Sequence, residues 1–455
     1  MTQEPLFELP AAEAPKSEGP TSPQQARVLR PVRNQIEWVA RDLDATLPED
    51  HPARAIWALL ERLDLSQFYA SIKSVLGHAG HPTTDPQVLL ALWLFATSEG
   101  IGSARQIDGL CGEHDAYRWL CGGVPINYHT LSDFRVAHQE ALNDLLTEIL
   151  ASMMNAGLVT LHHVAQDGMR VRSSAGASSF RREATLQCCL AEAQQRVALL
   201  AGQREQGAPL RVSQGDAGSH VRRDAARQRA AQDRQRRVEE ALQRLPEIQE
   251  AKERRKRSCS KAEQAKVPEA RVSTTDPETR VMKMPDGGFR PAYNLEMATD
   301  EASQVIVGVG VDTSGSDGGQ ALPILEQVVR RTGQLPEAYL IDGGFATRDD
   351  ITALERRGVT VYAPTQRPRT LTSGRTKAAP RPDDTPEVTR WRERMETDEA
   401  KEIYKQRGAT AECVNAQGRR HTLTQLLVRG THKVLSVLLL VAIAHNLLRW
   451  TALSA

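Results

Sequence analysis

At Gly157 the hydrophobic pattern of this 455-residue chain changes period. Before it, apolar residues recur at helical spacing. Ile56, Leu59, Leu60, Leu63 and Leu65 make one stripe, and Val88, Leu89, Leu92 and Leu94 make another behind the helix-opening pair Asp85-Pro86. Ser103 to Leu110 reads as a further helix, and the run from His129 to Arg135 opens a long one that ends near Gly157. After it, Leu158 to Ala165 is β-branched and apolar and Met169-Arg170-Val171-Arg172 alternates, so a first strand is expected. Residues 34–157 thus predict a helical domain. Residues 1–33 are rich in Pro, Glu, Ser and Gln and lack the basic start and apolar run of a signal peptide, so they read as a disordered tail.

Downstream, residues 179–266 are rich in Arg, Gln, Ala and Glu, and Gly, Pro and Ser break the pattern between 202 and 219. They predict a basic insertion of two helices joined by a loose connector. Strands follow at 292–299 and 304–311, linked by the short turn Asp300-Glu301-Ala302-Ser303 and expected to pair antiparallel. A helix at 319–331, a strand ending at Leu340-Ile341, a helix at 348–357 and a strand at 359–363 form a βαβαβ run, hence a parallel arrangement. Residues 365–390 lack periodicity and predict a loop, and the chain then returns to helix as far as Leu448. The fold class expected is α/β, with residues 158–455 in an RNase H-like layout of antiparallel then parallel strands closed by a helix.

Charge is divided unevenly. The net charge is +1, yet residues 221–266 hold 15 Lys and Arg against 8 Asp and Glu. Such a block can neutralise phosphates and release counterions, and Lys252, Arg254, Arg255, Lys256 and Arg257 could follow a DNA backbone; the alternative is a solvated helix end. The helical domain has room for a helix-turn-helix, with no residue to show which helix would enter a groove. The six cysteines form no CxxC pair, which argues against a zinc knuckle or disulfide scaffold and for a reducing, cytoplasmic setting. The apolar run from Val434 to Leu448 is interrupted by Ser436, His445 and Asn446 and is shorter than the roughly 20 residues of a membrane span, so a buried helix is expected.

Three acids stand where the layout would gather them: Asp167 after the first strand, Asp342 at the end of the strand before Gly343-Gly344, and Glu412 on the late helix. Glycine after each aspartate permits a sharp turn and close approach of a bulky polyanion. Convergent carboxylates repel unless a cation compensates, and hard oxygen donors supplemented by water and phosphate suit Mg²⁺. By residue type alone, a strand-end Asp beside Gly is more often a turn residue than a metal ligand, and a helical Glu is usually a surface residue. Asp300 and Asp312 read as hairpin residues, Asp276-Pro277 as a turn, and His445 as a satisfied core histidine. His162 and His163 precede Asp167, and only one of them can face inward.

Several segments resemble the DDE transposases of bacterial insertion sequences: AQDGMRVRSSAG at 165–176, STTDPETRVMKMPDGGFRPAYNLEMATD at 273–300, LIDGGFATRDDITALERRGV at 340–359, RERMETDEAKEIYKQRGATAECVNAQ at 392–417 and LLVRGTHKVLSVLLLVAIAHNLLRW at 426–450. The resemblance covers most of residues 50–450. It implies that Asp167, Asp342 and Glu412 are catalytic carboxylates binding Mg²⁺ (or Mn²⁺), two ions in all. It also implies that Tyr404, Arg407 and Arg419 correspond to the family's Tyr, Arg and Lys signature. Two departures stand out: Arg419 replaces the usual Lys, and the gap from Arg407 to Glu412 is one residue longer than in the best-known spacing. Arginine can still hold a phosphate, in two-pronged fashion.

The activity this implies is cleavage at the terminal inverted repeats of a mobile element and joining of the freed 3′-hydroxyl to target DNA, with a dimer bridging the two ends. The alternatives are a metal-dependent nuclease that does not join and a decayed, non-catalytic DNA-binding protein.

Overall fold

A computed structural model describes residues 42–74, 82–205, 217–258, 264, 267–365 and 381–454. The expected tail, most of the insertion's connector and residues 366–380 of the expected loop lie outside the described residues. The helical region comprises α1 (Pro52–Leu60), α2 (Ser66–Tyr69), α3 (Pro86–Ser98), α4 (Ala104–Glu113), α5 (Asp115–Cys121), α6 (Tyr128–Ala137) and α7 (Gln139–Asn155). Polar side chains start these helices: Asp85 accepts from Gln87 N at 2.9 Å, and Asn127 from His129 N at 2.8 Å. The long helix expected from His129 is two, divided at His138, whose ring packs against those of Phe68 and Phe134. Helix α3 is buried continuously from Val88 to Thr97, the mark of a helix enclosed by its neighbours.

Beyond α7 come β1 (His163–Arg172), β2 (Phe180–Arg181), α8 (Glu183–Glu205), α9 (Ala217–Ser258), β3 (Val272–Ser273), β4 (Arg280–Lys283), β5 (Phe289–Asp300) and β6 (Ile306–Asp312). Then follow α10 (Ala321–Thr332), β7 (Ala338–Leu340), α11 (Arg348–Arg356), β8 (Thr360–Tyr362), α12 (Pro386–Glu396), α13 (Asp398–Arg407), a π-helical turn (Gly408–Glu412), α14 (Cys413–Arg420) and α15 (Thr431–Ser454).

The sheet is mixed. β1 is its centre, antiparallel to β5 on one side and parallel to β7 on the other, with β8 parallel beyond β7. β4 and β6 both pair with β5 on its far side; β6, antiparallel to β5, runs in the same direction as β1, β7 and β8, as the βαβαβ run implies, but β7 is not its neighbour. The chain instead crosses the sheet through α10 to place β7 next to β1. The first strand also starts later than its apolar residues imply. Gly157 (φ 71°) and Leu161 (φ 58°) turn the chain in the left-handed region, and Asp300 accepts from Leu161 N at 3.0 Å. A strand hairpin at β4 and the small β2–β3 pair carried no signal in the sequence pattern.

Helices α8 and α9 form the insertion and have a separate small core around Leu186, Ala241, Leu245 and Ile248. The main core is continuous from α1 through α3 and α7 to the sheet and α15. Helix α15 is long and apolar enough to cross a membrane by length and composition, and it is longer than the interrupted apolar run suggested. Val434 to Leu447 nevertheless supply core side chains packed on α3, α7 and β6. His445 is satisfied there, 2.8 Å from Gln304 O.

Asn446, fully buried, does for β6 what a neighbouring strand would do. Its Oδ1 accepts from Ile306 N and its Nδ2 donates to Ile306 O, both at 2.8 Å. Replacing it by Leu keeps the volume and strands two buried backbone groups. We expect Asn446→Leu to lower unfolding free energy by about 3 kcal/mol in urea denaturation.

Candidate active site: carboxylates around the central strand

Side chains of β1 alternate between two faces. Val164 packs into the main core, whereas Ala165 joins Ala338, Leu340 and Ala411 on the opposite face, beneath α13 and the π-helical turn. Asp167 shares the parity of Ala165 and so points to that second layer. It lies inside the strand, opposite Met297, rather than following the strand as the glycine after it suggested. Gly168 makes no turn. A Cβ there would stand 2.8 Å from Glu296 Oε1 and 3.1 Å from the Asn294 amide, so its missing side chain admits those two groups on the other face.

Three donors hold Asp167. Arg407 Nη2 lies 2.8 Å from Oδ1, Asn415 Nδ2 donates to Oδ2 at 2.9 Å, and Gly168 N donates to Oδ1 at 3.0 Å. Burial pushes the Asp167 carboxyl above the usual range; Arg407 works against that, while Asp342 and Asp317 add to it. Tyr404, one turn before Arg407 on α13, senses Arg407, Asp342 and Asp167, and burial raises its hydroxyl. Two members of the expected signature, Tyr404 and Arg407, are thus brought to Asp167.

Asp342 stands two residues past the end of β7, its Oδ1 accepting from Gly344 N at 2.6 Å. A Cβ on residue 344 would lie 3.0 Å from Asp342 Oδ1 and 2.7 Å from Asp317 Oδ2. The two carboxylates therefore face one small volume that only glycine leaves open. Asp317 is held by Asn294 Nδ2 at 2.9 Å, and burial raises its carboxyl although Arg170 opposes this. Behind them Glu296 accepts from Asn294 at 2.7 Å and from Gln166 at 3.0 Å, with Tyr339 OH donating to Gln166 at 2.7 Å. Burial pushes Glu296 up to about 8. Asn294 Oδ1, also buried, makes no hydrogen bond.

Glu412 is exposed on the π-helical turn. That turn packs on β1 and β5, and Asn415, one helical turn further on, is the residue that reaches Asp167. Among the described residues no group of three or more His, Cys, Asp or Glu side chains is gathered tightly enough to hold a metal. The convergent acids are instead Asp167, Asp342, Asp317 and Glu296. Asp317 and Glu296 had not been singled out. Glu296 had a legible signal, since an acid stands between Leu295 and Met297 in a mostly apolar strand segment; Asp317, in a Ser-Gly-rich loop, had none.

The remaining candidates are dispersed. Arg419 is exposed near the end of α14. At the end of α9, Lys252 donates to the carbonyls of Pro268 and Glu269, which ties it to the returning chain. Arg254 and Arg257 pair loosely along the helix with Glu250 and Glu253, at 3.6 and 4.0 Å, and Arg255 and Lys256 are exposed beside them. His162 and His163 are engaged by Glu337 and Glu301, and Asp300 and Asp312 cap their own turns through Ser303 and Ser314.

Glu296 supplies a pH test. Its folded pKa of about 8 lies above the ordinary 4.5, so the folded state binds the extra proton between those values. Stability contributed by this group is full below pH 4.5 and falls as pH rises to about 8, by at most about 1.4 kcal/mol per pH unit. Urea titrations should show that Glu296→Gln removes this part of the slope and leaves the variant relatively more stable at pH 8.

Comparison with known families bears on both ends of the chain. Residues 41–137, over α1 to α6, match the family model described as Transposase domain (DUF772), and residues 370–451, from before α12 into α15, match the Transposase DDE domain. No curated protein and no solved structure matches the chain. The second match includes Tyr404, Arg407, Glu412 and Arg419, the helical layer over Asp167, and together with the first it supports an insertion-sequence DDE transposase.

Proposed function

We propose that this DNA transposase cuts at the ends of its element and joins the freed 3′-hydroxyl to target DNA, with Asp167, Asp342 and Glu412 as catalytic carboxylates on an RNase H-like core. The observation that carries this reading is the convergence of Asp167 and Asp342 around the central strand, with Arg407 inserted between strand and helix. The sheet order, with β1 between antiparallel β5 and parallel β7, supports the core assignment. Residues 34–157 are the proposed DNA-binding region, and residues 158–455 the catalytic region carrying the 179–266 insertion.

The chemistry of the donor set suits a divalent cation, although the described side chains are not gathered closely enough to hold one as they stand. Carboxylate oxygens are hard ligands, and the Asp342 charge helps raise the carboxyls of Asp167 and Asp317, with Arg407 as the close counter-ion of Asp167. Asp167 and Asp342 would hold Mg²⁺ or Mn²⁺, and Glu412 would complete the set from the π-helical turn. Bound there, two such ions would supply activation of the attacking oxygen and charge neutralisation at the leaving oxygen. The chain's own contribution is positional. Asn415 and Gly168 N fix the Asp167 carboxylate in place. Arg407, buried and with Nε unpartnered, can turn from Asp167 toward a phosphate oxygen, and Tyr404 lies alongside it. Arg419, exposed near the end of α14, would meet the DNA backbone. Joining two ends calls for a second copy of the chain. The setting proposed is the bacterial cytoplasm, at the nucleoid.

Labelled repeat ends incubated with the protein, Mg²⁺ and a target plasmid test the assignment. Asp167→Asn and Asp342→Asn should each lower cleavage and joining by at least ~10³-fold while leaving the DNA-binding constant within a few-fold. Cleavage without joined product in the unaltered protein would establish the nuclease alternative. Full activity in Asp167→Asn would remove that residue from the site.

Arg407 gives a separate readout. Arg407→Met leaves the buried Asp167 carboxylate without its cation, and metal-free protein should lose about 3 kcal/mol of stability. Added Mg²⁺ should restore part of that loss in calorimetry if Asp167 is a ligand, and none if it is not.

A further inference from the structure

Arg135 on α6 is 93% buried, and its position does not follow from the carboxylate site. Its guanidinium lies 4.5 Å over the Trp93 ring, Nη1 donates to Gly102 O at 2.8 Å, and Nε makes no hydrogen bond. Burial lowers its pKa to about 10, and no carboxylate contributes. Arg135 lines a cavity of about 270 Å³ between the α3–α4 junction and the segment from Thr422 to Leu427 after α14.

The walls supply donors. The last carbonyls of α3 are already taken, Ala96 O by Ile101 N at 2.7 Å, Thr97 O by Gly100 N at 3.0 Å and Ser98 O by His421 at 3.2 Å. The first turn of α4, whose Ser103 and Gln106 line the cavity, presents the positive end of the helix; Ser103 Oγ accepts from Gln106 N at 3.4 Å, and the N–H groups of Ala104 and Arg105 have no intrahelical acceptor. A buried cation with an unpartnered N–H, beside a helix N-terminus and hydroxyl side chains, is chemistry that recognises an oxyanion.

We propose that this cavity is an anion site that takes one backbone phosphate of the bound DNA. Its wall is attached to the catalytic strand, since Leu426 N donates to Arg172 O at 2.8 Å, five residues beyond Asp167 on β1. At about 3.3 Å per residue the separation is roughly 17 Å. That corresponds to about five nucleotides along a duplex, so the site sets the register of DNA on the enzyme. The naming of DNA as the source of the phosphate rests on the transposase reading; the anion site does not.

The test uses the full chain and inorganic phosphate, read as the thermal unfolding midpoint against chloride at matched ionic strength. Phosphate should raise the midpoint more than chloride. Arg135→Gln should abolish the difference. So should Thr424→Glu, which places a carboxylate at the exposed rim and leaves Arg135 and Trp93 intact, so the result does not depend on the Arg135 variant folding. In binding to a labelled duplex, both variants should weaken affinity about 10-fold, and Arg135→Gln should reduce the slope of log K against log salt by about one. Equal responses to phosphate and chloride, or a phosphate response retained in Thr424→Glu, would overturn the site. A phosphate response lost in the variants with DNA affinity and salt slope unchanged would overturn the DNA assignment alone and leave a site for free phosphate.

Discussion

Asp167 sits in the middle of a buried strand, where a carboxylate is costly to leave charged, and Arg407 is the cation that meets it. The pair does more than offset two charges. It ties the central strand to α13, so the helical layer that closes this face of the sheet is positioned by an electrostatic contact at the proposed site itself. Around it the apolar packing is thin: Ala165, Ala338, Leu340 and Ala411 form a cluster of mostly small side chains that lets the helix approach the strand closely. Small residues beneath the helix and a buried ion pair beside them are complementary demands, because a larger side chain at any of the three alanines would lift the guanidinium off the carboxylate.

The opposite face handles negative charge differently. Glu296 has no cation and is held by the amides of Asn294 and Gln166, with burial favouring its neutral form. A neutral acid behind the strand keeps Asp167 from facing a second full charge through the sheet. Asn294 bonds both Glu296 and Asp317, so it links this inner network to the rim where Asp317 and Asp342 meet over Gly344. The cluster is thus graded, from an interior where burial favours the neutral form of Glu296 to a rim where charge can be answered by solvent or a cation.

Much of this architecture was legible. The period change at Gly157, the β5–β6 pair and the alternation of α10, β7, α11 and β8 follow from apolar spacing and turn residues. What failed to show were features set by distant partners. The left-handed turn at Leu161 depends on Asp300, and the place of β6 beyond β5 depends on the length of β5, which is shared between β4 and β6. Within the site, Asp167 and Asp342 were candidates beside glycines that turn chemistry explained as well, and only the family resemblance singled them out; the reason for the first glycine was mistaken. Gly168 makes room for side chains of another strand, a fact no local pattern contains. Asp317 was invisible because its meaning comes from Asn294 and Gly344, distant in sequence.

The spacing between Arg407 and Glu412, one residue longer than the family's best-known form, has its physical counterpart in the π-helical turn at Gly408–Glu412. A π turn absorbs one additional residue without advancing the helix face. Arg407 and Asn415 both bond Asp167 yet are eight residues apart, which in a regular α-helix would put them about 80° out of phase. With one residue taken up by the π turn, the effective separation is about seven residues, within roughly 20° of two full turns. The insertion and the π turn therefore cancel, and the helix keeps both its cation and its amide on the strand below. Gly408 and the two alanines that follow it suit such a widened turn, since small side chains leave the distorted backbone room to settle against β1 and β5.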